Sequence, residues 1–191
     1  MKRDVNRIIT AVNVAMNATH LPPIQGDYSL GYLYGTVKMH KTGNPLRPII
    51  SQTPAPTHTL AKRLSKILTP YTPSKFCLTS SMELLEKIQD SPGDSTMAAL
   101  YVESLFTNVP VDETIDIILE KVYRNPDMQP PNIPEESLKT LLDICMKRAP
   151  FTTHGGQMFI QKDGVAMGSP LGVLFANFYM GTVEERVFSQ H

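Results

Sequence analysis

Apolar positions recur at helical and strand spacings along most of the chain. Spacings of three and four residues predict helices near residues 1–20, 60–68, 80–90, 135–147 and 170–188, and another that begins after Pro110 and buries Ile115, Ile118, Leu119 and Val122. Shorter apolar runs predict strands at 32–37, 48–51, 96–102, 151–153 and 158–160. Because helices and strands alternate, the predicted fold class is α+β.

Polar and breaker residues mark where these elements end. Lys41-Thr42-Gly43-Asn44-Pro45 predicts a turn, which makes 32–37 and 48–51 a hairpin with basic residues near its tip. Ser80 and Glu83 have the spacing of a helix capping box. Four prolines between residues 125 and 134 predict a loop.

Charge is distributed unevenly, although the net charge is zero. Residues 1–66 hold nine Lys and Arg against two acidic residues, a net +7, and residues 67–191 hold nine against sixteen, a net −7. No acidic residue lies between Asp27 and Glu83. Such a segment attracts phosphates, and the candidate nucleic-acid contacts in it are Lys41, Lys62, Arg63 and Lys66. The alternative is a solvated face whose counter-charges come from the acidic half.

Cysteine usage and hydropathy address the compartment. Cys77 and Cys145 match no zinc or redox spacing, which favours two reduced thiols in an intracellular protein, nuclear or cytoplasmic. No segment approaches the roughly 18 unbroken apolar residues of a membrane span, so no membrane association is expected.

Three blocks together resemble the reverse transcriptases of Penelope-like retroelements. The first is YGTVKMHK at 34–41 with RPIIS at 47–51, the second is VESLFTNVP at 102–110, and the third is DGVAMGSPL at 163–171, leading into Ala176-Asn177. They occur in the family's order and cover roughly residues 30–185.

The resemblance implies the fingers and a partial palm of a right-hand polymerase, stopping before the family's second metal-binding motif. It divides the chain into a helical lead-in at 1–27, a fingers-like basic region at 28–95 and the partial palm at 96–191. The implied activity is RNA-directed DNA synthesis, with an RNA or DNA template-primer and a dNTP as partners.

Several residues acquire roles through the resemblance. Lys38 and Arg47 would contact the triphosphate, assisted by Lys41 or His40, because nucleotidyl transfer requires its charge to be neutralised. Phe106 would lie under the sugar and exclude a 2′-hydroxyl, or it is an ordinary core residue. Gln161 is either polar support or an ordinary strand residue. Gly164 and Gly168 would let the backbone approach the nucleotide closely.

The metal-binding carboxylates of the family are not matched. The two Mg²⁺ ions of such a polymerase need hard carboxylate oxygens. In the family, one of the metal-binding carboxylates belongs to an aspartate at the position of Tyr101. A neutral phenol is a poor substitute. Glu103 is not an evident replacement, because relatives carry it together with the aspartate. The family's Tyr-x-Asp-Asp motif does not occur in the sequence.

We therefore expect a catalytically inactive reverse-transcriptase domain fragment that does not bind Mg²⁺ productively. Two alternatives stay open. One is a non-enzymatic nucleic-acid-binding module that retains the basic fingers, and the other is an exon of a longer, active polymerase. The sequence leaves the oligomeric state open.

Overall fold

The helices of the chain carry most of its secondary structure. The computed structural model describes residues 2–15, 21, 23–24, 28–73, 75–78, 80–90, 92–93, 96 and 98–189. The helices within these ranges are α1 (Lys2–Ala15), α2 (His58–Leu68), α3 (Ser81–Gln89), α4 (Leu105–Asn108), α5 (Val111–Tyr123), α6 (Glu135–Lys147) and α7 (Gly172–Phe188), and a 3-10 turn (Thr69–Tyr71) follows α2.

One hydrophobic core is built from the apolar faces of α1, α2, α5, α6 and α7. The three- and four-residue spacing turns these side chains to one side of each helix. The largest fully buried side chains of the core, which also include Leu21 and Leu171 outside these helices, are Ile9, Leu21, Leu60, Leu64, Leu68, Ile118, Leu138, Leu141, Leu142, Leu171, Phe175 and Phe178. Helix α5 contacts both α6 and α7, so it lies between them. Asp112 and Glu113 lie in its first turn, where carboxylates are favourable.

Two asparagines of α1 fix the segment that follows it. The Asn6 side chain accepts a hydrogen bond from the Ile24 N–H (2.7 Å) and donates one to the Ile24 carbonyl (3.1 Å). Asn13 makes the same pair of bonds with Leu21, at 2.6 and 2.8 Å. The amides thereby satisfy backbone groups beside buried Leu21 and Ile24.

The strands form one mixed sheet in the order β2-β1-β3-β4. Strands β1 (Gly31–Val37) and β2 (Leu46–Ser51) pair antiparallel, with Thr36 opposite Arg47. Strands β3 (Phe151–Thr152) and β4 (Met158–Phe159) form the second antiparallel hairpin. The two hairpins are joined by a short parallel pairing of β1 with β3.

The predicted α+β class, both hairpins and the six helices are confirmed in the described residues, and residues 1 and 16–20 of the first predicted helix lie outside them. The predicted strand at 96–102 is wrong. Residues 96 and 98–102 are not in a strand, and Leu100 and Tyr101 are 95% and 83% exposed. A strand needs a neighbour for its backbone hydrogen bonds, and the sheet of the described residues ends at β2 and β4 without including this segment. Strand-like composition alone is therefore insufficient to place this segment in the sheet.

The predicted boundaries at residues 27/28 and 95/96 stay predictions. The sheet and the core both draw residues from each side of 95/96. None of the described helices has the length and apolar composition needed to cross a membrane.

Candidate nucleotide-binding site

Three segments that are far apart in sequence meet at one place in the fold. The Ile50 N–H of β2 donates to the Met167 carbonyl at 3.0 Å, and the Val165 N–H donates to the Phe106 carbonyl of α4 at 2.7 Å. The loop at 163–171 is thus hydrogen-bonded to the basic hairpin on one side and to α4 on the other. Each of the three segments contains one of the blocks on which the resemblance rests.

Gly164 and Gly168 lie next to these two contacts of the loop, Gly164 beside α4 and Gly168 beside β2. Both have positive φ angles, +71° and +114°, which favour glycine. A Cβ on Gly164 would lie 2.6 Å from the Thr107 carbonyl oxygen, and one on Gly168 would lie 2.5 Å from the Ile50 carbonyl oxygen. The chain's own backbone therefore requires both glycines, and the close approach of a nucleotide stays a prediction.

The cations of the hairpin lie next to its turn, whereas the loop at 163–171 is bonded farther along β2, at Ile50. The Lys38 N–H donates to the Pro45 carbonyl at 2.9 Å and closes the turn, in which Gly43 and Asn44 take the positive φ angles. The Lys38 side chain is partly exposed, and Arg47 is exposed on β2. His40, beside them in the turn, is exposed as well.

Tyr101 is in contact with the hairpin tip. The Lys41 Nζ lies 5.8 Å from the centroid of the Tyr101 ring, a cation–π distance. In the part of the chain that the structure describes, no group of three or more His, Cys, Asp or Glu side chains could hold a metal ion.

The turn into α4 contains a strained residue that the sequence did not single out. Ser104 has φ +51° and ψ +40°, which is uncommon for a residue other than glycine. Its carbonyl accepts hydrogen bonds from the Thr107 hydroxyl (2.8 Å) and the Asn108 amide (3.2 Å). These two bonds stabilise the turn just before Phe106, whose carbonyl accepts the hydrogen bond from the loop.

Phe106 and Gln161 are both partly buried beside the loop. Phe106 packs against the hydrophobic core, and its Cε1 lies 3.7 Å from where a Cβ on Gly172 would be. The Gln161 Nε2 donates to the Asp163 carbonyl at 2.9 Å, while its buried Oε1 has no hydrogen-bond partner among the described residues. Gln161 thus braces the start of the loop and retains one unused acceptor.

The other predicted cations lie on a different element. Lys62 and Lys66 are exposed on α2, and Arg63 is partly buried. The opposite face of α2 is in the core. Burial, and then the charge of Lys62, lower the pKa of His58 at the start of this helix.

A cavity of about 370 Å³ adjoins α4 and Gly164. Lys147 lines it, but its ammonium group is paired with Asp112 and Asp143, and the hydrogen bond to Asp112 is the main cause of its raised pKa. This cation is therefore neutralised by the protein itself.

Comparisons with known proteins identify no relative of this chain, so the evidence for its function comes from the residues of this site. No protein-family model matches the chain, and no curated protein matches it.

Proposed function

We propose that this chain is a reverse-transcriptase-type domain that binds a nucleotide and nucleic acid but does not catalyse polymerisation by itself. The nucleotide would lie between the basic hairpin and the loop at 163–171. Lys38 and Arg47 would contact its phosphates, and Phe106 would lie beside its sugar.

The observation that carries the proposal is the meeting of the three resembling blocks. They are separated by roughly 50 residues each, yet the backbone bonds from Ile50 to Met167 and from Val165 to Phe106 join them. A resemblance by chance in three short blocks gives no reason for them to be adjacent in space. The adjacency supports a common site.

Charge and chemistry support binding without catalysis. Guanidinium and ammonium groups next to the turn of the hairpin suit a polyphosphate. Tyr101 occupies the position of a metal-binding aspartate, and it offers a phenol in contact with a lysine. If Mg²⁺ were bound, it would activate the primer hydroxyl and stabilise the leaving pyrophosphate. A phenol beside a lysine does not fit Mg²⁺, which prefers carboxylate oxygens.

A non-enzymatic nucleic-acid-binding module is the second candidate. The exposed positions of Lys62 and Lys66 on α2, apart from the hairpin, favour it. Such a module would bind phosphates along α2 and would show no preference for a dNTP at the hairpin.

Titration with a fluorescent dNTP in the presence of a template-primer separates the two. Charge-assisted hydrogen bonds contribute about 1.5–3 kcal/mol, so Arg47→Gln should weaken dNTP binding roughly tenfold or more. Lys139→Gln is the matched control, because this surface lysine on α6 pairs with Asp116 at 3.2 Å. Equal dNTP affinities for the two variants, with nucleic-acid binding retained, would favour the second candidate.

A further inference from the structure

Two tyrosines form an exposed aromatic pair on β1. Tyr32 and Tyr34 are two residues apart, so they lie on the same face of the strand. Their side chains are 49% and 43% exposed. The ring centroids are 5.7 Å apart and the ring planes are inclined by 33°. Large aromatic side chains that remain half exposed on a sheet face are available to a partner.

The same face of the hairpin carries a cation. Arg47 of β2 is directly opposite Thr36, which is the next residue of β1 on the face of Tyr32 and Tyr34. The surrounding sequence adds no negative charge, because residues 28–82 contain no acidic residue. The face is thus aromatic at one end and positive at the other.

We infer that this face binds single-stranded RNA or DNA by stacking unpaired bases on Tyr32 and Tyr34, while the positive charge of the acid-free hairpin attracts the phosphate backbone. Aromatic side chains on a basic surface bind single strands in this way, whatever the base sequence, because every base has a π-face. In a duplex the base faces are already stacked on each other, so the tyrosines cannot reach them. The inference rests on the proposed nucleic-acid binding and adds the strand state and the residues that contact the bases.

A single tryptophan provides a direct probe of stacking. The chain contains no tryptophan, so Tyr34→Trp introduces one fluorophore at the proposed contact. A mixed-sequence single-stranded oligonucleotide should quench its fluorescence saturably. An abasic oligonucleotide of the same length, which has the same phosphates, should give little quenching, and so should the duplex.

Affinity measurements on the tyrosines test the energy of the contact. Tyr32→Leu and Tyr34→Leu should each weaken binding of the single strand about 5- to 150-fold, the range expected for stacking one base. Phenylalanine at either position should bind nearly as the parent does, because the ring is retained. Phe159→Leu is the matched control, since Phe159 is 45% exposed on the opposite face of the same sheet.

The outcomes distinguish this inference from the proposed function. Equal affinity for the abasic and the normal single strand, without quenching, would overturn base stacking while phosphate binding at the hairpin stands. Binding of no oligonucleotide at all would overturn both. Quenching by a proline-rich peptide rather than by an oligonucleotide would assign the face to a protein partner and overturn the inference. If the leucine variants fail to fold, as judged by circular dichroism, the Tyr34→Trp titration decides the question alone.

Discussion

Replacing Gly164 by alanine puts a methyl group into the joint between α4 and the loop at 163–171. Gly164 has φ +71°, and its added Cβ would lie 2.6 Å from the Thr107 carbonyl oxygen and 2.7 Å from that of Phe106. Real Cβ atoms do not approach backbone this closely, so the loop must move away from α4. The substitution therefore tests the contact on which the candidate site depends.

The expected destabilisation has two parts. A left-handed backbone costs a residue with a Cβ about 1–2 kcal/mol, and overpacking costs about 1–3 kcal/mol. Their sum is about 2–5 kcal/mol, a large share of the roughly 5–15 kcal/mol by which a domain is stable. Because alanine lowers the conformational entropy of the unfolded chain, about 0.4–1 kcal/mol of this destabilisation is offset.

Gly156→Ala is the matched control. Gly156 has almost the same φ, +74°, but no atom lies within 4 Å of an added Cβ. Gly156→Ala has the same backbone strain and the same effect on the unfolded chain. The difference in the free energy of unfolding between the two variants therefore measures the clash with α4 alone, about 1–3 kcal/mol. Urea unfolding measures this difference as a lower midpoint at unchanged slope for Gly164→Ala.

Thermal unfolding gives an independent reading of the same difference. For a chain of this size, about 1–3 kcal/mol corresponds to a melting temperature roughly 2–12 °C lower for Gly164→Ala than for Gly156→Ala. Equal midpoints for the two variants would show that α4 and the loop are not in contact, and the argument from adjacent blocks would fail.

Three further predictions concern activity, binding and pH. The chain should not extend a primer on an RNA template with Mg²⁺, and Tyr101→Asp should not restore extension; dNTP-dependent extension by either protein would refute this. Charge reversal of Lys62 together with Arg63 should weaken binding to all sequences alike, and binding that is unchanged between about 50 and 200 mM salt would contradict phosphate contacts. Burial raises the pKa of the Cys145 thiol from 9.0 to about 12, so its contribution to stability is complete below pH 9 and is lost as the pH rises toward 12. Cys145→Ala should therefore show a shallower loss of stability over that range in urea unfolding, and an unchanged pH dependence would refute the assignment.

Local sequence signals predicted the helices well because each carries its own evidence. In α6 the buried residues Leu138, Leu141 and Leu142 recur at helical spacing, and the helix has the bounds Glu135–Lys147 that the pattern indicated. At α3 the Ser80 side chain accepts a hydrogen bond from the Glu83 N–H at 3.2 Å, as the capping signal predicted. Such features depend on residues within a few positions of each other.

Features that depend on distant residues were not predictable in the same way. The parallel pairing of β1 with β3 joins residues about 120 positions apart, and no local pattern encodes it. The segment at 98–102 has strand-like composition but lacks a partner strand among the described residues. The sequence singled out Gly164 and Gly168 for the close approach of a nucleotide, which stays a prediction, and the backbone contacts that require glycine there became visible only in the fold.

The exposed tyrosines were within reach of the sequence. Tyr32 and Tyr34 alternate within a predicted strand, so their common face follows from the two-residue period. Their exposure did not follow, because an aromatic pair on a strand is more often buried in a core. The strained Ser104 gave no sequence signal, since serine rarely adopts a positive φ.

The central claim is that a nucleotide binds where the three blocks meet. Photocrosslinking with a dNTP that carries a photoreactive base, followed by peptide mapping, tests it most directly. The account predicts crosslinks within residues 101–107 and 161–169, competed by unlabelled dNTP and reduced in Arg47→Gln but not in Lys139→Gln. Crosslinks confined to α2, or spread over the surface and equal in both variants, would contradict it.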